Sequence, residues 1–172
     1  MKNLKKFVAL LLAGVMAMVM LTACGGAASE TPLEDNIRKA LGSNPNAEGL
    51  CDADGRVKND KSSELYKTTK TKLEGKINSS LTGTFVLVVD PDVDPNKEYA
   101  TVTVYADYRT AGFVADLVTK ITDKLGEIKD TNNSVELKSE WANVAVVVET
   151  NAKGSYAAIA IQVKNLAYKG NK

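Results

Sequence analysis

Three segments of the chain place apolar residues at the spacing of an amphipathic helix. Residues 31–42 begin with a Thr-Pro pair, repeat an apolar residue every fourth position and end at a glycine. Residues 61–81 carry a second apolar stripe among lysines, and residues 111–128 carry the most regular stripe of the chain. The sequence therefore predicts three helices, with a loop rich in Asn, Asp and Gly before the second.

Four other segments have the composition of β-strands. Residues 84–89 are β-branched and apolar on both faces, which predicts a central strand. Residues 100–107, 134–148 and 157–163 mostly alternate apolar side chains with polar or small ones. Because successive side chains of a strand point to opposite faces, we expect each of these three to bury at least one face.

The predicted elements form two similar halves. Residues 61–108 and 111–165 both read helix, strand, loop, strand, which indicates a degenerate repeat of an αββ unit. A chance likeness between two valine-rich hairpins explains the same pattern. We expect residues 31–172 to form one α+β domain: a two-layer sandwich of a four- to five-stranded, mainly antiparallel sheet with two helices on one face, plus an N-terminal helix.

One face of the predicted sheet combines small, apolar and polar side chains. Such a surface is too apolar to be left to water, so we expect it to be covered by the N-terminal helix, by a second copy of the chain or by a ligand. It is the candidate interaction face. By alternation it carries Thr101, Thr103, Tyr105, Ala158, Ala160 and Gln162.

The first twenty-four residues form a pattern of their own. Three lysines precede an apolar run over residues 7–21, and then come Leu21-Thr22-Ala23-Cys24 and two glycines. This pattern resembles the export signal of bacterial lipoproteins. The resemblance implies that residues 1–23 are removed and that Cys24 carries a diacylglycerol on its sulfur.

The lipoprotein resemblance also implies where the protein acts. Residues 24–30 would be a lipidated tether, and the membrane would be a partner through Cys24, on the extracytoplasmic side of the cell membrane. An uncleaved anchor helix is the alternative, but the apolar run over residues 7–21 is shorter than the roughly 20 residues that a spanning helix needs. Both alternatives export the chain and hold it at a membrane surface.

Loss of the signal changes the charge and the cysteine chemistry. The chain has 22 basic and 21 acidic residues, so removing three signal lysines leaves 19 against 21 and a net charge of −2. This balance argues against nucleic acid as a partner. With Cys24 acylated, Cys51 is the one remaining thiol; we interpret it as a small half-buried side chain, with a free thiol or a dimer bridge as alternatives.

An acidic segment between two predicted strands resembles the opening of a calcium-binding EF-hand loop. Hard divalent cations prefer such closely spaced oxygen ligands. The segment departs from the EF-hand pattern at Pro95, where glycine is required, and at Thr101, where glutamate is required; a solvated hairpin loop is the alternative. Residues 52–55 form a weaker Asp-x-Asp-Gly fragment that predicts a turn. The candidate metal ligands are Asp90, Asp92, Asp94, Asn96 and Glu98.

The sequence favours a binding function over an enzymatic one. The chain contains no histidine, which excludes Cys-His and Ser-His catalysis, and it shows no phosphate-binding loop or nucleophile elbow. We therefore predict a non-enzymatic, cofactor-free binding or interaction module of the cell envelope, with an envelope protein or a second copy as candidate partner. The alternatives are a calcium- or small-ligand-binding domain and, last, a cell-wall hydrolase that uses paired carboxylates.

Overall fold

The computed structural model describes residues 30–79, 88–107, 113–131, 134–152 and 154–170. The predicted signal, Cys24 and the tether up to residue 29 lie outside the described residues, as do residues 84–87 of the first predicted strand. The helices within the described ranges are α1 (Glu30–Gly42), α2 (Glu64–Ser79) and α3 (Phe113–Thr131), with a 3₁₀ helix at Pro45–Leu50. The strands are β1 (Val88–Asp92), β2 (Tyr99–Asp107), β3 (Leu137–Asn151) and β4 (Gly154–Asn165).

The four strands form one sheet in the order β1-β2-β4-β3, and every neighbouring pair is antiparallel. The predicted α+β fold with a mainly antiparallel sheet is therefore confirmed. The two hairpins meet at the centre, where β2 pairs with β4, and β1 and β3 are the edges. An irregularity between Trp141 and Asn143 shifts the register of β3.

The first strand differs from its prediction. β1 continues through Asp90 and Pro91 and lies at an edge of the sheet rather than at its centre. Proline has no N–H to donate to a neighbouring strand, so a strand that contains one is confined to an edge. The apolar character of residues 84–89 predicted burial but carried no information about the partner strands.

One face of the sheet packs against two helices. Val104, Val146 and Ile159 belong to the same buried cluster as Ile37 of α1 and Ile121 of α3. We call this the α1/α3 face. It holds the larger part of the apolar core among the described residues, because aliphatic side chains of all four strands point to it.

The opposite face packs against α2. Tyr105, Val147 and Ala158 form a second buried cluster with Leu73 of α2, and Ile77 packs against it. We call this the α2 face. Two helices do share a face of the sheet, but they are α1 and α3 instead of the predicted second and third helices. An apolar stripe shows that a helix is buried on one side but does not show which face of the sheet it covers.

The predicted αββ repeat holds for the strands only. The β1-β2 and β3-β4 hairpins are related by the antiparallel pairing of β2 with β4, which is a local two-fold relation. That relation would place α2 and α3 on the same face of the sheet. They lie on opposite faces, so the helices do not follow the repeat.

The segment between α1 and α2 is ordered by local hydrogen bonds. Cys51 is half-buried, as expected, and its Sγ lies 3.4 Å from the carbonyl oxygen of Ala47. The Asp52 carboxylate accepts hydrogen bonds from the N–H groups of Asp54 and Arg56 at 3.0 and 2.9 Å. Residues 52–55 therefore form the predicted turn, which Gly55 closes with a φ of 73°.

Candidate functional site: a polar groove on the α2 face

The α2 face is only partly covered by its helix. The segment before α2 is fixed to β3, because Asn59 bonds Val146, and α2 then extends across the strands until Lys72 reaches Asp90 of β1. It therefore covers the part of the face around Tyr105. Beside it lies a groove of about 840 Å³. This volume falls in the range of ligand-binding clefts, about 300–1,000 Å³.

One side of α2 forms a wall of the groove. The residues that line it, Leu65, Thr69 and Lys72 among them, are spaced three and four apart, so they share one face of the helix. Thr69 is 2% exposed, and its hydroxyl donates to the carbonyl oxygen of Leu65 at 2.6 Å. This hydrogen bond fixes the buried Thr69 side chain, whereas exposed residues on the same side of α2, such as Lys72, are polar.

The floor of the groove is a row of polar side chains from all four strands. Asn143, Gln162, Thr101 and Asp92 are register partners in β3, β4, β2 and β1, and all four line the groove. Asn143 Nδ2 donates to Gln162 Oε1 at 3.0 Å, and Gln162 Nε2 donates to Thr101 Oγ1 at 3.3 Å. These two hydrogen bonds orient the amide and hydroxyl groups along the floor of the groove.

The far rim is the loop between β1 and β2, and Asn165 fixes it. Asn165 is 2% exposed; its Nδ2 donates to the carbonyl oxygens of Pro95 and Lys97 at 3.4 and 3.3 Å. Its Oδ1 accepts from the N–H of Glu136 at 3.1 Å and from that of Ala167 at 3.2 Å. A single buried amide therefore ties the loop, the start of β3 and the C-terminal segment together.

Two tyrosines line the groove near this rim. Tyr99 is the first residue of β2 and pairs with Lys164 of β4, and Tyr168 follows Asn165, whose carbonyl accepts its N–H at 3.3 Å. Both are half-buried. A half-buried tyrosine offers an apolar ring surface and a polar hydroxyl to the same ligand.

The charges of the groove are balanced and largely paired. Lys97 Nζ lies 3.3 Å from the Asp92 carboxylate. Lys72 Nζ lies 3.5 Å from the carboxylate of Asp90, a residue that does not itself line the groove. Glu98 lies 3.5 Å from Lys164. Exposed pairs of this kind contribute little stability, but they leave the groove without a dominant sign of charge. The charged residues of the lining are Lys58, Lys72, Lys97, Asp60, Glu64, Asp92 and Glu98.

Asp60 precedes the first residue of α2, Glu64, and hydrogen bonds favour the ionised form of its carboxyl group. The hydroxyl of Ser62 donates to its carboxylate at 2.6 Å and the N–H of Ser62 donates at 2.9 Å. These hydrogen bonds hold the pKa of Asp60 below its usual range.

Tyr105 lies under α2 beside the groove. Burial, and to a smaller extent the Asp90 carboxylate, raises its pKa to about 12. The nearby Thr103 hydroxyl acts in the opposite direction, but the pair does not have hydrogen-bond geometry, and Tyr105 Oη is buried without a partner. Lys76 Nζ lies 4.8 Å from the centre of its ring, a cation–π contact that helps to hold α2 on the sheet.

The six residues of the predicted interaction face do lie on one face of the sheet, but in two environments. Tyr105, Ala158 and Ala160 are fully buried, so they cannot contact a partner. Thr101, Thr103 and Gln162 line the groove. Of the three covers considered, the N-terminal helix is wrong: α2 covers the apolar part of this face, and α1 packs on the opposite face.

Three of the five predicted calcium ligands form ion pairs with lysines. Asp90 and Asp92 pair with Lys72 and Lys97, and Glu98 pairs with Lys164. Among the described residues, no group of three or more acidic or cysteine side chains could hold a metal ion. Asp94 and Asn96 instead form a turn, in which the Asp94 carboxylate accepts from the N–H of Asn96 at 2.8 Å.

The groove residues outside the central strands were not predicted as a site from the sequence. Thr69 belongs to the predicted apolar stripe of the second helix and Lys72 to its predicted solvated face, whereas no prediction included Thr68, Tyr168 or Asn143. The alternation of side chains in β3 would have been enough to place Asn143 on the α2 face, but the irregularity between Trp141 and Asn143 interrupts that alternation. Nothing in the local sequence could have placed α2 beside Thr101, because that contact depends on the chain crossing the sheet edge.

Comparisons with protein-family models, with curated proteins and with solved structures find no match for this chain. The arrangement of the groove is therefore the basis for a function. Among the described residues, no helix is long and apolar enough to cross a membrane.

Proposed function

We propose that this chain is an exported lipoprotein, held by Cys24 on the extracytoplasmic side of the cell membrane, and that its domain is a non-enzymatic binding module. The observation that carries the binding function is the groove of about 840 Å³ beside α2, with its row of hydrogen-bonded polar side chains. Pre-oriented polar groups in a cleft reduce the ordering cost of binding.

The polar floor favours a ligand over a second copy of the chain. The apolar residues of the α2 face, such as Tyr105 and Ala158, are covered by the protein's own helix. The cores of homodimer interfaces are more apolar than the rest of a protein surface. The groove on this face presents a row of hydrogen-bonding side chains, so it suits a hydrogen-bonding ligand better than a symmetric dimer.

The anchor is tested by metabolic labelling with radioactive palmitate. Cells that express the full-length chain should yield a labelled protein, because two or three acyl chains are attached at Cys24. The variant Cys24→Ala should lose the label, and the matched variant Cys51→Ala should keep it. Label that persists in Cys24→Ala would exclude the lipid anchor.

The groove is tested by nuclear magnetic resonance on the full-length protein, purified in a detergent without a sugar headgroup. We expect the low-mass fraction of a bacterial envelope digest to shift the side-chain amide signals of Asn143 and Gln162. The side-chain signal of Asn78, on the exposed surface at the end of α2, is the internal control. Equal shifts at all three positions, or none, would contradict binding in the groove.

A further inference from the structure

We infer that the groove binds a neutral, hydroxyl-rich chain, a linear glycan segment that lies across the four strands. This inference rests on the proposed function and specifies its ligand class. Three properties of the groove support a glycan ligand: the spacing of the polar side chains on its floor, their hydrogen-bonding capacity, and the balance of its charges.

The spacing of the floor matches a chain of sugar rings. Asn143, Gln162, Thr101 and Asp92 form one row across β3, β4, β2 and β1, and neighbouring strands lie about 4.8 Å apart. The row therefore offers one polar side chain at each step of about 4.8 Å, close to the length that one pyranose ring adds to an extended chain. An extended peptide advances about 3.3 Å per residue and repeats its side-chain direction every two residues, so it does not match the row.

The groups on the floor suit hydroxyls. Amide and hydroxyl side chains such as Asn143, Gln162 and Thr101 both donate and accept hydrogen bonds, as sugar hydroxyls do. Peptide ligands that add to a sheet bind the main chain of an edge strand, whereas this floor consists of side chains on a sheet face. At β3, moreover, Asn59 already occupies the N–H and the carbonyl of Val146.

The charges of the groove favour a neutral ligand. Three lysines and four acidic residues line it, and Lys97 and Asp92 neutralise one another at 3.3 Å. An anionic or cationic chain would gain no net attraction from this lining. The half-buried Tyr99 and Tyr168 add ring surfaces against which the C–H faces of a sugar can pack.

The test is calorimetric titration of the full-length protein in a sugar-free zwitterionic detergent. The probes are neutral hexasaccharides of glucose and of N-acetylglucosamine, an anionic oligogalacturonate and an uncharged serine- and glycine-rich hexapeptide. We expect heat of binding from a neutral hexasaccharide and none from the hexapeptide. A disaccharide of the same sugar should bind more weakly than the hexasaccharide, because it is too short to contact both Asn143 and Asp92 at the two ends of the row.

Two variants with a matched control locate the binding. Gln162→Ala and Thr68→Ala should each weaken binding by about three- to tenfold, the effect of one lost hydrogen bond. Thr71→Ala, on the same helix but outside the groove, should leave binding unchanged. Circular dichroism of all variants confirms that a loss of binding is not a loss of fold.

The outcomes separate the ligand class from the proposed function. Binding of the peptide with loss in Gln162→Ala would overturn the glycan inference, and stronger binding of the oligogalacturonate than of either neutral hexasaccharide would overturn the neutral ligand; both results would leave the groove as the binding site. Hexasaccharide binding that is equally strong in Gln162→Ala and Thr71→Ala would overturn the glycan site. No heat from either hexasaccharide would overturn the inference, and the envelope digest would then decide whether the groove binds anything.

Discussion

Asn59 pairs with Val146 through both ends of its side-chain amide. Asn59 Nδ2 donates to the Val146 carbonyl at 2.7 Å, and the Val146 N–H donates to Asn59 Oδ1 at 3.0 Å. The amide thus takes the place of a neighbouring strand at the β3 edge, where unpaired groups invite association with other chains. The chain crosses from the α1/α3 face to the α2 face at this point, so the same contact closes the edge and directs α2.

We expect Asn59→Asp to destabilise the fold by about 1–3 kcal/mol, the cost of leaving buried hydrogen-bonding groups unsatisfied. A carboxylate cannot donate to the Val146 carbonyl, and it would stand beside Glu34, whose Oε1 accepts from Asn59 Nδ2 at 2.9 Å. Urea denaturation measures the free energy of unfolding. The control Asn78→Asp, on an exposed position of α2, should change it by a few tenths of a kcal/mol, about the effect of one surface charge.

We expect the protein to lose stability at alkaline pH because the buried Tyr105 must then ionise. Its pKa is raised by burial from the ordinary value of 10.0 to about 12. A raised pKa in the folded state means that the associated stability is complete below about pH 10 and is lost as the pH rises towards 12. The pKa of Lys61, raised by its hydrogen bond to Glu34, acts in the same direction.

The variant Tyr105→Phe tests this assignment. It removes a hydroxyl that is buried without a partner, so at pH 7 the variant should be as stable as the parent or more so. Between pH 10 and 12 it should lose less stability than the parent. Tyr168→Phe serves as the comparison, and an equally steep alkaline loss in Tyr105→Phe would show that another group is responsible.

Two glycines should respond in opposite ways to substitution by alanine. A Cβ on Gly42 would lie 2.0 Å from the carbonyl oxygen of Gly55, and because that atom belongs to the main chain, the contact cannot be relieved by a side-chain rotation. Gly75 in α2 has open space around it. Thermal denaturation should show a large loss for Gly42→Ala and a gain of about 0.5–1 kcal/mol for Gly75→Ala.

Asn165 should control the order of the groove rim. Asn165→Ala removes the donors to the Pro95 and Lys97 carbonyls and the acceptor for the Glu136 N–H. We expect hydrogen exchange in residues 93–98 to become faster, while amides of α3 on the opposite face keep their rates. Uniformly faster exchange over the whole domain would indicate global destabilisation instead of a local role.

The sequence alone determined the elements and the fold class. The apolar repeat of residues 111–128 defined a helix that the structure places at Phe113–Thr131, and alternation assigned Thr101, Thr103 and Gln162 to one side of the sheet. These properties are local, since the period of a helix or a strand fixes which side chains share a face. The predicted lipid anchor at Cys24 likewise depends on local sequence alone.

The tertiary structure decided which helix covers which face, and so where the groove lies. α2 packs on Tyr105 because the Asn59–Val146 contact takes the chain around the edge of β3, a contact between residues far apart in sequence. The pairing of the acidic residues Asp90 and Glu98 with Lys72 and Lys164 could not be predicted either, because spacing along a chain does not reveal contacts with residues distant in sequence. The period of a helix or strand determines which of its side chains share a face, but only long-range packing determines which part of the protein that face contacts.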